Sequence, residues 1–407
     1  MFIKFCQSLI AGAFVAFSGP VSAQSSPFEI YIDADYSISS AAAQSIELGV
    51  RTALEEVNYQ LAGVDVRIRP MDHRGNVKRS RRTLEQYLKN DAALAVFGGL
   101  HSPPYLAHKD FINEHGVLTL LPWSAAGPIT RGSAGMENWI FRLSVDDAQA
   151  GDFFIQESIE RNGCQNMAFI LLETGWGRAN QKTLTAALAQ HGRDPALVEF
   201  FSAAISDSTA LGLATRVKRA GADCAILLSN WDDGALVLNA LFEVEAEVRI
   251  FSHWGVMGGE FTSHVSAQVR DALDLRVLQT CGLRREREGS AVLQNALARL
   301  EPAKATLSEL AAPTGFVHGY DLTRVLIAAA DQVAETEVWQ TGSIQERRAV
   351  LRAALENLQA PVEGILDRYN PPFQPFTPGV LDAHEALGLE DLCVARFRTD
   401  GSLEDAH

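Results

Sequence analysis

The chain of 407 residues is long enough for two lobes of ordinary domain size. Apolar residues make up 47% of it and charged residues 21%, a composition that excludes a disordered, collagen-like or disulfide-dense protein. The 50 acidic residues outnumber the 35 basic ones and give a formal charge of -15, which is the wrong sign for binding nucleic acid or an anionic membrane.

The first 23 residues have the pattern of a secretory signal peptide. Lys4 supplies a positive start, an apolar run extends from Leu9 to Phe17, and small residues lead up to Ala23. The apolar run is shorter than the roughly 20 residues that a membrane-spanning helix needs, which disfavours the alternative of a membrane anchor. We therefore expect cleavage after Ala23 and a mature protein in the periplasm that does not insert into the membrane.

The mature chain alternates between strand and helix patterns. The first series predicts a strand at 28–32, a helix capped by Ser39 or Ser40, a strand at 64–68, a helix at 78–89, a strand at 92–97, a helix at 105–114 and a strand at 117–121. The second series predicts helices at 149–160, 180–190, 209–220 and 234–241, and strands at 167–172, 197–201, 224–228 and 248–251. Helices at 314–330 and 347–358 and a final strand at 392–397 follow. Repeated β-α-β units predict an α/β protein with two doubly wound, parallel-sheet lobes.

Aromatic side chains are concentrated where the predicted strands end. Ligands of open α/β sheets bind beyond the carboxyl ends of the strands, so two facing lobes would place the site in the cleft between them. The loops at these ends contain four of the six tryptophans, namely Trp123, Trp176, Trp231 and Trp254. They predict an aromatic cage for a flat or cationic ligand. The alternative is that each ring packs beneath its own loop.

Polar side chains in the same loops are candidates for orienting the ligand. The hydroxyls of Ser102 and Ser124 suit a carboxylate or carbonyl oxygen, and His101 and His253 are possible hydrogen-bond partners of the ligand. The sequence has no nucleophile-elbow, phosphate-loop, dinucleotide-binding or zinc-protease motif. We therefore expect no enzymatic activity and no bound cofactor or metal.

Export would place four cysteines in an oxidising compartment: Cys164, Cys224, Cys281 and Cys393. Cys164 and Cys224 each precede an apolar run that predicts a strand, and neighbouring strands would allow a disulfide between them. The sequence leaves this pairing open against two buried free thiols.

Seven short segments, spread over nearly all of the mature chain, carry a family resemblance. They are the helix at 49–58, the loop at 97–102, the stretch at 117–130, Phe141-Arg142, Gly175-Trp176-Gly177, Ala222-Asp223 and Gly319-Tyr320-Asp321. With these segments in this order and at these spacings, the chain resembles the type I periplasmic binding proteins of the branched-chain amino-acid class. Members of that class are solute receptors of ATP-driven importers. The resemblance implies three crossings between lobes, near 143–145, 279–283 and 366–378. Lobe one would comprise 24–144 and 284–365, and lobe two 145–280 and 379–407, with the tail bracing the hinge.

The chain departs from the family pattern where that family holds its ligand. Trp123 and Ala125 occupy places that offer small residues and a hydroxyl to the ligand carboxylate in the amino-acid binders. Trp254 stands at the position of the acid that binds the ligand amine, and Trp176 at that of a tyrosine. A free amino acid would lose its amine partner, at a cost of a few kcal/mol. We therefore expect an amino-acid-related solute that is aromatic, amide-like or cationic.

The resemblance also implies a mode of action. The lobes of a transport receptor close on the solute, and an inner-membrane ABC permease recognises the closed form. The same fold allows a sensor that presents its closed form to a membrane signalling partner. We expect a monomer whose ligand contacts come from Ser102, His101, Trp123, Ser124, Ala125, Trp176, Trp231, His253 and Trp254.

Overall fold

A computed structural model of the protein describes residues 26–132, 137–281, 290–377, 380 and 382–406. The predicted signal peptide lies outside these residues, as do the end of the second predicted crossing and the start of the predicted tail. Within the described ranges, no helix has the length and apolar character that crossing a membrane requires.

The first sheet is built from residues 28–142. Its strands are β1 (Phe28–Ala34), β2 (Gln60–Leu61), β3 (Val64–Asp72), β4 (Ala93–Gly98), β5 (Thr119–Leu121) and β6 (Ile140–Arg142). They lie in the order β2-β3-β1-β4-β5-β6, and every neighbouring pair except β2 and β3 is parallel. The connecting helices are α1 (Ser40–Glu56), α2 (Val77–Leu88) and α3 (Pro103–His115). The predicted alternation is confirmed here, and β2 and β6 are additions to it.

The second sheet follows the same plan and ends in an antiparallel edge. Its strands are β7 (Met167–Leu172), β8 (Leu197–Phe201), β9 (Cys224–Leu228), β10 (Arg249–Ser252) and β11 (Arg276–Thr280), joined by two strands of the tail. The helices that cover it are α4 (Asp147–Gln156), α5 (Gly175–Gln190), α6 (Asp207–Arg219), α7 (Trp231–Glu243), α8 (Phe261–His264) and α9 (Ala267–Ala272). Strands β7 to β11 pair in parallel.

The last part of the chain contributes to both sheets. Helices α10 (Ala291–Ala298), α11 (Pro313–Val333), α12 (Glu337–Thr341) and α13 (Ile344–Glu356) precede a hairpin of β12 (Val362–Glu363) and β13 (Arg368–Tyr369). The tail strands β14 (Leu392–Phe397) and β15 (Leu403–Asp405) complete the order β15-β14-β11-β10-β9-β7-β8. β14 pairs antiparallel with β11, and β15 pairs antiparallel with β14. The predicted parallel-sheet lobe and its strand at 392–397 are confirmed, whereas the antiparallel direction of β14 and the additional strand β15 were not predicted.

Helices α1 and α11 pack closely enough to require glycine at their contact. A Cβ atom at Gly49 would clash with the carbonyl oxygen of Phe316, and one at Gly319 would lie 2.6 Å from the carbonyl oxygen of Ile46. Reciprocal glycines therefore bring the two backbones together. This contact ties the segment after residue 290 to the first sheet.

Each disulfide joins a cysteine just outside one strand of the second sheet to a cysteine in the neighbouring strand. Cys164 is bonded to Cys224 with their Cα atoms 5.8 Å apart, and Cys281 is bonded to Cys393 with 5.0 Å between Cα atoms. The register pairs Met167 of β7 with Cys224 of β9, which brings the first two cysteines together. The disulfide alternative for Cys164 and Cys224 is thereby confirmed.

A buried ionic cluster lies where the chain leaves the first sheet. Arg142, the last residue of β6, is fully buried, with its Nη2 atom 2.6 Å from Glu385 Oε1 and 3.5 Å from Asp146 Oδ1. Arg131 pairs with the same two carboxylates. The backbone N–H of Arg142 also donates to the carbonyl of His384 at 2.9 Å. Charges and backbone bonds together fix the tail beside the start of α4.

Candidate functional site

A small cavity lies between the carboxyl ends of the two sheets. The first-sheet side contributes Leu100, His101, Ser102, Pro103, Trp123 and Ala125, and the second-sheet side contributes Leu172, Thr174, Trp176, Asn230, His253, Trp254 and Gly255. Its volume is about 40 Å³, only a few times the roughly 10–15 Å³ that a cavity needs to hold one water molecule. A ring-sized solute therefore requires the two walls to move apart, a motion that two lobes with a hinge permit.

The first-sheet wall is held by hydrogen bonds within its own loops. The Tyr105 hydroxyl donates to the carbonyl of Asp33 at 2.7 Å and accepts from the N–H of Gly99 at 3.0 Å. The Ser124 hydroxyl donates to the carbonyl of Gly99 at 2.7 Å and lies 3.1 Å from the carbonyl of His101. Ser124 does not line the cavity, because its buried hydroxyl supports the loop that carries the cavity residues.

Ser102 is the serine that the structure places at the cavity. Its oxygen accepts a hydrogen bond from the N–H of Ala126 at 3.2 Å. The hydroxyl hydrogen remains free to donate to a ligand. Ser102 also immediately precedes α3, and the positive end of a helix dipole favours a negatively charged group nearby.

His101 is anchored to the wall by two polar partners. Its Nε2 atom lies 3.1 Å from the Ser39 hydroxyl and 3.3 Å from Asp35 Oδ2. Burial tends to raise the pKa of Asp35, but hydrogen bonds from His101 and from the N–H of Ile38 outweigh it and lower the pKa to about 2. Ser39 precedes α1 as predicted, yet its side chain makes no capping bond and turns to His101 instead.

Three of the four predicted cage tryptophans line the cavity. Trp123 comes from the first-sheet side, and Trp176 and Trp254 come from the second. Trp123 and Trp254 are almost fully buried, and the Trp123 N–H has no hydrogen-bond partner among the described residues. An indole N–H is a donor only, so this atom is available to a ligand acceptor.

Trp231 differs from the expectation because its ring lies on another surface. The ring centroid is 5.2 Å from that of His264, and its Nε1 is the nearest atom to the space beside Gly259. Trp231 is the first residue of α7, and its ring packs against the segment that contains Gly259 and His264. The preceding residue, Asn230, lines the cavity. The predicted cage therefore has three indoles.

A buried polar group stands behind the second-sheet wall. The carboxylate of Asp147 accepts from Trp176 Nε1 at 2.6 Å and Asn180 Nδ2 at 2.8 Å, and lies 2.7 Å from His253 Nε2. Burial acts to raise the pKa of Asp147, but its contacts with His253 and Asn180 and the nearby Arg142 guanidinium hold the pKa below the usual range. Asp147 thus orients one indole and one imidazole toward the cavity.

The sequence located most of this site and missed some of it. Seven of the nine predicted ligand residues line the cavity, and Ser124 and Trp231 do not. Leu100, Thr174, Asn230 and Asp147 were not predicted. The signal that marks Asp147 is its place beside Asp146, at the start of a helix that directly follows a predicted crossing. Within the described part of the chain, no group of three or more histidine, cysteine or acidic side chains is arranged to hold a metal.

Comparisons with known proteins agree with this architecture. A family model described as periplasmic binding protein matches residues 31–376. A leucine-binding protein, LivK, from Thermotoga maritima has a TM-score of 0.69 at 15% identity, covering 93% of this chain and 98% of that one. A solute-binding protein of an ABC transporter from R. palustris, in complex with benzoate, has a TM-score of 0.74 at 14% identity, covering 94% and 96%.

A third similar structure is a solute-binding protein from Rhodopseudomonas palustris BisB5 in complex with 3,4-dihydroxybenzoic acid, with a TM-score of 0.72 at 15% identity, covering 93% of this chain and 95% of that one. No functionally curated protein matches the sequence at a significant level. The family match extends over most of the chain, and the similar structures share its two-lobed fold. The chain therefore belongs to the periplasmic binding protein family, whose members bind solutes rather than transform them, and it has the type I fold of that family.

Proposed function

We propose that this protein is a periplasmic receptor that binds a small aromatic carboxylate between its lobes and delivers it to an ABC importer. The observation that carries the proposal is the cavity itself, where indoles from both walls meet beside unpaired hydrogen-bond donors. Flat rings stack well between indoles, so the apolar part of the site favours an aromatic solute.

The polar groups of the first wall favour a carboxylate. The Ser102 hydroxyl has a hydrogen to donate, and the Trp123 N–H has no acceptor among the described residues. The N-terminus of α3 adds a positive potential at the same place. Two donors and a helix dipole are together suited to a negatively charged oxygen.

The same wall composition disfavours an amine. None of the cavity-lining residues, all of which lie in the described part of the chain, is acidic. Two carboxylates lie behind the lining residues, and both have partners within the protein. Asp147 is engaged by Trp176, Asn180 and His253. Asp35 is engaged by His101 and by the N–H of Ile38. An ammonium group would be buried without a partner, at a cost of several kcal/mol. We therefore favour an aromatic acid over the amide-like or cationic solute that the sequence also allowed.

The similar structures support this choice of solute class. Two of them were solved with benzoate and with 3,4-dihydroxybenzoic acid, and both proteins are described as solute-binding proteins of ABC transporters. Export by the predicted signal peptide, a monomeric state and docking of the closed form on an inner-membrane permease are parts of the same proposal. Delivery to a permease also follows the family resemblance of the sequence.

Calorimetric titration of the mature chain, from Gln24 onward, tests the proposal with benzoate, leucine and choline. We expect benzoate to bind, and at 100 times its dissociation constant to stabilise the protein by about 2.7 kcal/mol in thermal unfolding. Trp123→Ala and Trp254→Ala should abolish binding and leave a folded protein. Trp231→Ala is the matched control, because it removes an indole outside the cavity, and it should bind like the parent.

Two results would contradict the proposal. One is binding of leucine or choline without binding of the aromatic acid. The other is an equal loss of affinity in Trp231→Ala and Trp123→Ala, which would show that the cavity indoles have no particular role.

A further inference from the structure

One ring nitrogen of His253 contacts another side chain of the protein, and the other has no hydrogen-bond partner among the described residues. The side chain is fully buried and lines the cavity on the second-sheet side. Its Nε2 atom lies 2.7 Å from Asp147 Oδ1, whereas its Nδ1 atom has no hydrogen-bond partner among the described residues. A buried polar atom without a partner is costly, so its position at a binding cavity points to a partner on the ligand.

The neighbours of Asp147 determine where the imidazole hydrogen lies. An ionised carboxylate only accepts, and Asp147 already receives hydrogen bonds from Trp176 Nε1 and Asn180 Nδ2. The atom of His253 that faces Asp147 must therefore carry a hydrogen, which places it on Nε2. The below-normal pKa of Asp147 agrees with a carboxylate that stays ionised.

Aromatic rings surround the imidazole of His253. Its centroid lies 4.7 Å from that of Trp254, 5.3 Å from that of Trp176 and 6.1 Å from that of Phe154. A second hydrogen would create an unpaired, charged N–H among these rings. In the neutral ring, Nδ1 is a hydrogen-bond acceptor.

We propose that His253 Nδ1 accepts a hydrogen bond from a hydroxyl group of the ligand, so that the site selects hydroxylated aromatic acids over unsubstituted ones. This inference rests on the proposed function and deepens it. The donors of Ser102 and Trp123 belong to one wall and His253 belongs to the other. A solute that satisfies both walls carries its carboxylate at one end of the ring and a hydroxyl at the other. Asp147 is a positioning residue that acts through His253.

Calorimetric titration with three matched acids tests the inference. Benzoate has no group opposite its carboxylate, 4-hydroxybenzoate has a hydroxyl there, and terephthalate has a second carboxylate. We expect the parent to bind 4-hydroxybenzoate at least about tenfold more tightly than benzoate, because benzoate leaves one buried acceptor unpaired. Terephthalate should bind most weakly, since its second carboxylate would face the lone pair of His253 Nδ1.

Two variants separate recognition from structural support. His253→Phe removes the acceptor and should bind benzoate and 4-hydroxybenzoate with affinities within about threefold of each other. His253→Gln should keep the preference, because its amide N–H can donate to Asp147 while its oxygen accepts from the ligand. Nitrogen-15 NMR of the ligand-free parent should show His253 as the Nε2–H tautomer, with the spectrum of His253→Gln identifying the His253 signals. This measurement does not depend on whether His253→Phe folds.

The outcomes distinguish this inference from the proposed function. Equal affinity of the parent for benzoate and 4-hydroxybenzoate would overturn the inference and leave the receptor for aromatic acids standing. Tightest binding of terephthalate would also overturn it, because it would identify His253 as a charged donor. Failure of the parent to bind any of the three acids would overturn the proposed function itself.

Discussion

Replacing Asp33 by asparagine should reduce the loss of unfolding free energy that the protein suffers as the pH rises. Asp33 is the second-last residue of β1, its carbonyl accepts a hydrogen bond from the Tyr105 hydroxyl, and its side chain is fully buried. The Ser80 hydroxyl donates to its Oδ2 atom at 2.5 Å, and Oδ1 has no hydrogen-bond partner among the described residues. Burial raises the pKa of Asp33 to about 6, and the hydrogen bonds lower it only in part.

The size and sign of the effect follow from proton linkage. Well below pH 3.8 the carboxyl is protonated in both the folded and the unfolded protein, and its burial carries no charge penalty. Well above pH 6 it is ionised in both, and the folded state bears the full cost of burying the charge. A pKa raised from 3.8 to about 6 corresponds to about 3 kcal/mol of unfolding free energy, lost as the pH rises. About 2.4 kcal/mol of this falls between pH 4 and pH 7.5.

Urea unfolding of the parent and of Asp33→Asn at pH 4 and pH 7.5 measures the effect. From pH 4 to pH 7.5, the unfolding free energy of the variant should rise by about 2.4 kcal/mol relative to that of the parent. Any constant cost of the new amide cancels in this difference. Asp194→Asn, at an exposed side chain, is the matched control and should change stability by less than about 0.5 kcal/mol. A difference between Asp33→Asn and the parent that is the same at both pH values would refute the reasoning.

Three further predictions concern the frame around the site. Replacing both Cys164 and Cys224 by alanine opens a loop that spans 60 residues and should lower the unfolding free energy by about 4 kcal/mol; an unchanged urea midpoint would contradict this. Glu385→Gln leaves buried Arg142 short of a charge partner and should cost about 3–5 kcal/mol in urea unfolding, whereas exposed Glu390→Gln should cost less than about 0.5 kcal/mol; equal costs would argue against the cluster. Gly177→Ala would drive a Cβ atom into the Leu172 carbonyl oxygen and should disrupt the turn from β7 to α5, as judged by the thermal unfolding midpoint. Gly212→Ala in α6, where the nearest atom is 3.6 Å away, should instead stabilise by about 0.5–1 kcal/mol, and the same loss in both variants would count against this account.

The sequence predicted those elements whose signal is local. Strands β7, β8 and β9 match their predicted ranges because each is a run of five or six residues between helices, apolar throughout except for Glu199 in β8. The three-residue strands β6 and β15 are too short to produce a periodic pattern. The direction of β14 depends on how the tail returns to the sheet, and no property of its own residues encodes that.

The site was predictable to the extent that it depends on strand ends. Trp123, Trp176 and Trp254 follow strands directly, and a parallel sheet brings such positions to one edge. The loop-supporting hydrogen bond of Ser124 was not predicted, because its acceptor, the carbonyl of Gly99, lies 25 positions away in the sequence. Asp147 was missed because His253, its partner, lies 106 positions away. Partnerships of this kind arise only from the folded chain.

The central claim is that the two walls hold an aromatic acid between indoles from both lobes. A crystal structure of the mature protein, grown with the acid that binds most tightly in the titrations, tests it most directly. We predict a ring in contact with Trp123, Trp176 and Trp254, with its carboxylate at Ser102. An acid that lies outside this cavity, or a titration series in which no aromatic acid binds, would contradict the claim.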